Sequence, residues 1–441
     1  MDGIRVAPYA ELTFDAEGGV ARDELDALVA TVTGAGLTDL VVFAHGWNNN
    51  RSLARSLYGR FFDPFPEVLA ALGGTARLGY AGVIWPSMRF TDERLADLPV
   101  LPDGPRAAAP LPAGAGLPAG TLDALAAVLP AHRAALDRIE VLLSRGPGDP
   151  TPAELAEFAG LARRLATAPG PADHDLEPPT GPDPLPAVLT EDPHELCTLF
   201  TEALTTASAA EGDDALLGGL PGTLWRGALE LLRQCSYWEM KRRAGQVGQR
   251  GLGPALGVLA TAAPDLRVHL VGHSFGARLM SFAVDALPEH ARGVRSLTLL
   301  QGAFSHYAFT PQLPFATGRG GALRGAPAKV RGPVLCCHSR HDLSLSLLYP
   351  LASRISGDDS TLLGLGDRRW GALGHDGVQD VGGTVTLDLA HALAGPLPAS
   401  GCVNVDVSAV VRRGGPPAGA HSDICHGELA RLVLLAGGLV R

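Results

Sequence analysis

The chain has 441 residues, 46% of them hydrophobic and 19% charged, with a formal net charge of −10. That length can bury a large core, and it suits one large α/β domain carrying an insertion, or two domains. The acidic balance, with no clustering of Lys and Arg, excludes phosphate-backbone binding as a main task, so nucleic acid is not an expected partner.

The opening residues Met1-Asp2-Gly3-Ile4-Arg5 lack the basic start and apolar core of a secretory signal. No stretch reaches the roughly 18 apolar residues of a membrane span, so the expectation is a cytoplasmic protein without stable membrane insertion. Six cysteines are scattered without framework spacing and are expected as reduced thiols. Cys336, Cys337, His338 and His341 lie close in sequence, but strand neighbours face opposite ways, and no metal site is expected there.

In chain order, a strand is expected at Tyr9–Phe14, a helix from about Arg22 to Val32, and a buried strand at Leu40–Ala44 that breaks at His45-Gly46. A further strand at Ala81–Trp85 ends in Pro86. Between 98 and 234 the texture becomes Pro- and Ala-rich with amphipathic helices, which reads as a mainly helical insertion and a possible lid. Thr151-Pro152-Ala153-Glu154 and Asp192-Pro193-His194-Glu195 each place an N-cap, a first-turn proline and a capping-box glutamate. Leu155, Phe158, Leu161, Ala162 and Leu165 form one apolar face, and the proline-dense stretch at about 169–186 reads as a flexible linker.

After the insertion, strands are expected at Val268–Val271, Leu297–Leu300, Val334–Cys337 and Val403–Val407, separated mostly by helical patterns. The alternation predicts an α/β fold, a mostly parallel central sheet with helices on both faces. Its core comes from 1–97 and 235–441, interrupted by 98–234. Gly251–Gly257 has the wrong glycine spacing for a dinucleotide fingerprint and reads as a helix interruption, and Tyr237–Arg243 reads as a packing helix.

Within Val268-His269-Leu270-Val271-Gly272-His273-Ser274-Phe275-Gly276, a buried strand meets a glycine-flanked serine and then a helix. This is the layout of a nucleophile elbow, in which Gly272 and Gly276 leave room for a sharp turn and Ser274 stands exposed above the sheet. A serine hydroxyl needs a base, a carboxylate that orients the base, and donors for the developing oxyanion. The turn His45-Gly46-Trp47-Asn48-Asn49-Asn50 offers backbone amides, and those of Trp47 and Phe275 are the oxyanion candidates. Asp342 lies just past a strand's C-terminal end, where open α/β sheets build their sites, whereas Asp358 and Asp359 sit in a more solvent-like stretch. His421 and His426 compete for the base; His421 is preferred because His426 reads as the cap of the last helix.

Together these residues resemble the α/β-hydrolase superfamily, specifically serine esterase- and lipase-like members with a His-Gly-aromatic-Asn-Asn oxyanion turn. The family order of nucleophile, acid, histidine matches Ser274, Asp342 and His421. The resemblance implies a serine hydrolase acting on a small-molecule ester or acyl substrate without a cofactor. A peptidase, thioesterase or acyltransferase using the same residues, and a silent hydrolase fold serving as a binding module, remain alternatives. The position of 98–234 departs from the common pattern, in which the cap follows a strand after the nucleophile.

Overall fold

Runs of apolar, β-branched residues alternate with helices, and they assemble into one eight-stranded sheet. The computed structural model describes residues 3–47, 49–87, 116–117, 120–145, 148–165, 175–176, 191–209, 223–349, 371–414 and 418–440. The strands are β1 (Tyr9–Thr13), β2 (Asp39–Ala44), β3 (Leu78–Ile84), β4 (Arg267–His273), β5 (Val294–Leu300), β6 (Pro333–His338), β7 (Val385–Asp388) and β8 (Gly401–Asp406). Their order is β1-β3-β2-β4-β5-β6-β8-β7, and every pairing is parallel. The sheet is therefore parallel throughout, where the sequence predicts mostly parallel.

β2 and β3 are buried at every position, as a strand covered on both faces requires. Alternate residues enter two separate cores: Leu40, Val42 and Ala44 join one, Val41 and Phe43 the other. Cys336 and Cys337 divide the same way, so neighbouring thiols face opposite sides of the sheet. All six cysteines are unbridged. β7 escapes the sequence reading because it is a four-residue edge strand, partly or fully exposed along its length, and carries no buried apolar run.

The order reverses between β2 and β4, since the chain leaves β2 toward β3 and leaves β4 toward β5. The C-terminal ends of β2 and β4 therefore mark the topological switch point, the place where open α/β sheets build their sites. The registers Ala44↔Gly272 and Phe43↔Val271 place the ends of the two strands level.

The 98–234 region supplies helices Thr121–Val128, Arg133–Leu143, Pro152–Arg163 and Pro193–Ala209, and the first half of Thr223–Gln246. The capping box forms as its sequence predicts: Thr151 Oγ1 accepts from the Glu154 N–H at 3.3 Å while Glu154 accepts from the Thr151 N–H at 2.9 Å. The apolar face Leu155, Phe158, Leu161, Ala162 and Leu165 is buried. Helix Thr223–Gln246 runs unbroken across position 234, so the change in composition there is not a structural break. A π-helical stretch at Val247–Leu252 then leads into helix Gly253–Ala262, the interruption the glycines foretell. Among the described residues, no helix is long and apolar enough to cross a membrane.

Two residues of the expected 169–186 linker, Asp175 and Leu176, are described; the rest of it lies outside the described residues. Asp175 is buried, and its carboxylate accepts from Lys241 Nζ at 2.7 Å, Arg278 Nε at 2.9 Å, the Ser305 N–H at 3.0 Å and the Tyr349 hydroxyl at 3.2 Å. Burial alone would raise its pKa, but the two cations outweigh it and hold the carboxyl well below the usual range. Compositional bias toward proline does not reveal such an anchor. Asp175→Ala leaves Lys241 and Arg278 buried without their counter-charge and is expected to cost about 3–5 kcal/mol. Urea unfolding of the variant tests this; a midpoint matching the parent would contradict it.

Candidate active site

β4 ends at His273 and helix Phe275–Asp285 begins two residues later, so Ser274 alone makes the turn. Its φ of 56° and ψ of −121° lie where L-residues are strained, at a cost of about 1–3 kcal/mol. The surroundings enforce that geometry. The Ser274 N–H donates to the Leu300 carbonyl at 3.0 Å, and its own carbonyl accepts from the N–H groups of Ala277 at 3.1 Å and Ala303 at 3.3 Å. A methyl on Gly276 would sit 2.1 Å from the Ala44 carbonyl oxygen, and one on Gly272 would sit 2.4 Å from that of Gly276. A side chain at 276 would push the elbow away from β2, and one at 272 would push the start of the helix away from β4.

Ser274, His421 and Asp342, separated widely in sequence, meet in one hydrogen-bonded chain. His421 Nδ1 lies 2.7 Å from Asp342 Oδ2, and His421 Nε2 lies 2.9 Å from Ser274 Oγ. A carboxylate only accepts, so Nδ1 carries the proton and Nε2 is left to accept from the serine hydroxyl. Asp342 is fully buried, and its second oxygen accepts from the Leu345 N–H at 3.0 Å. The loop bearing it is stitched to the loop bearing His421: the Ala420 N–H donates to the His341 carbonyl at 2.9 Å, and Asp342 pairs with Gly419. His426 is elsewhere, bonded to Asp423 at 2.9 Å and preceding helix Gly427–Ala436. Asp358 and Asp359 lie outside the described residues.

The turn after β2 closes against this chain. His45 Nδ1–H donates to the Gly46 carbonyl at 2.8 Å, and Asn49 Nδ2 donates to the carbonyls of Gly46 at 3.3 Å and Trp47 at 3.0 Å. A trans peptide points its C=O and N–H in opposite directions, so capture of the Gly46 carbonyl turns the Trp47 N–H the other way. Gly46 itself touches the elbow, since a methyl there would fall 2.7 Å from Ser274 Cβ. The Phe275 N–H opens a helix, where the first amides have no intrahelical acceptor. Asn48 lies outside the described residues.

His45 is held by three contacts from two residues: its N–H donates to the Tyr58 hydroxyl at 3.1 Å, its carbonyl accepts from Trp85 Nε1 at 2.9 Å, and its ring stacks on Trp85. Burial pushes its pKa down to about 4. The same cause, reinforced by the nearby His421, pushes His273 down to about 3. Two buried groups beside the site carry no signal that sequence reading assigned. His273 lies within the elbow motif, and Gln301 at the end of β5 combines φ of 42° with a buried, unpartnered side-chain amide.

A second Ser-His-Asp chain runs at the opposite edge of the sheet. His269 bridges Asp39 at 2.8 Å and Ser296 at 3.1 Å, and Arg267 binds the same aspartate at 2.7 Å. Asp39, His269 and Ser296 are all fully buried, whereas the His421 side chain is 14% exposed and Ser274 is 5% exposed. Hydrogen-bonded geometry alone thus does not distinguish a reactive chain from a structural one. Among the described residues, no group of three His, Cys, Asp or Glu side chains is arranged to hold a metal.

Burial lowers the pKa of His45, His269 and His273 below the ordinary 6.5 in the folded state. The unfolded chain therefore binds protons that the folded chain refuses. Stability is full above about pH 6.5 and falls as pH drops toward 4 for His45 and 3 for His273, by about 1.4 kcal/mol per pH unit for each neutral histidine. Urea midpoints at pH 7.5 and pH 5.0 measure this; equal midpoints would refute it.

Comparison of the chain with protein-family models, with curated proteins and with solved structures gave no match in any of the three.

Proposed function

We propose that the chain is a serine hydrolase of the α/β-hydrolase type that cleaves a carboxylic ester through an acyl-enzyme. The observation that carries this reading is the Ser274–His421–Asp342 chain, set on a strained elbow at the C-terminal ends of the strands. Ser274 Oγ attacks the ester carbonyl while His421 Nε2 takes its proton, and the imidazolium then returns that proton to the departing alkoxide. Water repeats the exchange on the acyl-enzyme and releases the acid. Asp342 fixes the imidazole tautomer and stabilises its charged form. The Trp47 and Phe275 N–H groups receive the oxyanion, where each donor is worth about 3 kcal/mol. The reaction needs no cofactor.

A helix that begins in the 98–234 region and continues beyond it bears on specificity. Tyr237 packs its ring 4.7 Å from Phe275 and 5.7 Å from Trp47, centroid to centroid, so helix Thr223–Gln246 lies beside both oxyanion candidates. In this reading the helix walls the acyl pocket and acts as part of a lid. Tyr237→Ala is expected to shift kcat/KM toward bulkier acyl groups across a series of p-nitrophenyl esters, and an unchanged ranking would remove the helix from the pocket.

Purified protein treated with a fluorophosphonate is expected to label stoichiometrically at Ser274, located by mass spectrometry. Ser274→Ala and His421→Ala should abolish labelling, and Asp342→Asn should slow it by about 10³–10⁴-fold. A folded parent that does not label would favour a silent hydrolase fold used as a binding module.

A further inference from the structure

His273 precedes the proposed nucleophile, and its ring is wedged between the two loops that complete the site. Its Nε2 lies 2.8 Å from the His421 carbonyl oxygen. A carbonyl can only accept, so His273 carries its proton on Nε2 and donates it. On the other side of the ring, Nδ1 is buried without a partner and faces Gly46, where a methyl would lie 3.1 Å from it. The His273 and His421 rings sit 5.0 Å apart, centroid to centroid. The ring is 4% exposed, so solvent does not compete for the bond to His421.

We propose that His273 is a positioning residue: its Nε2–H holds the backbone of His421 so that the imidazole reaches Ser274 and Asp342 together. The inference rests on the reading of Ser274 as nucleophile. His421 sits in a loop, and its own N–H donates to the Ala418 carbonyl at 3.4 Å. Its neighbours are held too: the Ala420 N–H donates to the His341 carbonyl, the Ser422 carbonyl accepts from the Ile424 N–H, and the Asp423 N–H donates to the Ala420 carbonyl. The His273 bond fixes the His421 carbonyl directly to the elbow strand, at the residue between Gly272 and Ser274. Base, nucleophile and oxyanion turn are thereby referred to one rigid strand end. The burial that keeps the His273 ring neutral also keeps Nδ1 without a proton, which would otherwise be forced against Gly46.

The test compares His273→Leu with His273→Gln in the full chain. Leucine removes the donor, whereas the glutamine amide places an N–H close to where Nε2 stands. His273→Leu is expected to slow fluorophosphonate labelling and lower kcat by about 10–100-fold, as a misplaced base does, with KM changed less than about threefold. His273→Gln should recover most of that rate. In parallel, the His421 Nδ1–H proton bonded to Asp342 is followed by NMR; it should persist in the parent and His273→Gln and broaden in His273→Leu. Leucine and glutamine variants of equal rate and unchanged Nδ1–H signal would overturn the proposal. A parent that does not label but shows the expected pattern of Nδ1–H signals would overturn the hydrolase reading and leave the positioning role standing.

Discussion

The geometry of the site depends on one strained residue. Ser274 holds a backbone conformation that an L-residue adopts only under constraint, and the constraint comes from β2, β5 and the helix that follows. The Leu300 carbonyl fixes its N–H, Ala277 and Ala303 fix its carbonyl, and the Ala44 carbonyl fills the space where a side chain on Gly276 would stand. Because β2 and β4 are paired with Ala44 beside Gly272, the turn after β2 lands on the elbow. The strained serine and the placement of the turn after β2 are consequences of the same sheet register and packing.

Two Ser-His-Asp chains of similar geometry mark opposite edges of the sheet, and their environments separate them. Asp39, His269 and Ser296 are sealed between the strands and the C-terminal helix, with Arg267 holding the carboxylate as well. Gly437 lies against the His269 ring, where a methyl would fall 2.6 Å from Nδ1. No substrate could approach that serine without unfolding the edge. The chain at Ser274 retains partial exposure and lies at the C-terminal strand ends where the order reverses.

The buried charges serve the same end of the molecule. Asp175 gathers Lys241 from helix Thr223–Gln246, Arg278 from the elbow helix, the backbone of Ser305 and the hydroxyl of Tyr349. Those four groups come from helix Thr223–Gln246, the helix after Ser274, the loop after β5 and the segment just beyond Asp342. A single carboxylate therefore ties the surroundings of Ser274 and of Asp342 to the 98–234 region. Breaking so compact a cluster leaves uncompensated charge in the interior, which makes its members interdependent.

Much of this was legible in the chain itself. Six of the strands show as apolar runs, because a strand buried on both faces needs continuous hydrophobicity; the edge strand β1 shows more weakly, and the edge strand β7 left no trace. The elbow shows because glycine must occupy positions 272 and 276 wherever backbones approach so closely. Residue types and chain order also nominated Ser274, Asp342 and His421. The capping box at Thr151 and the N-cap at Asp192 were readable since a cap is a contact between near neighbours. Asp175 was not, because a proline-rich stretch gives no sign that its carboxylate will meet groups distant in sequence. Nor could sequence choose with certainty between His421 and His426, since each follows a polar loop and precedes a helix. That choice belongs to the loop pairing of Asp342 with Gly419, which carries His421 to the serine and leaves His426 with Asp423. Local chemistry was set by the sequence alone; which distant groups share a hydrogen bond was decided only when strand register and loop pairing brought them within 3 Å.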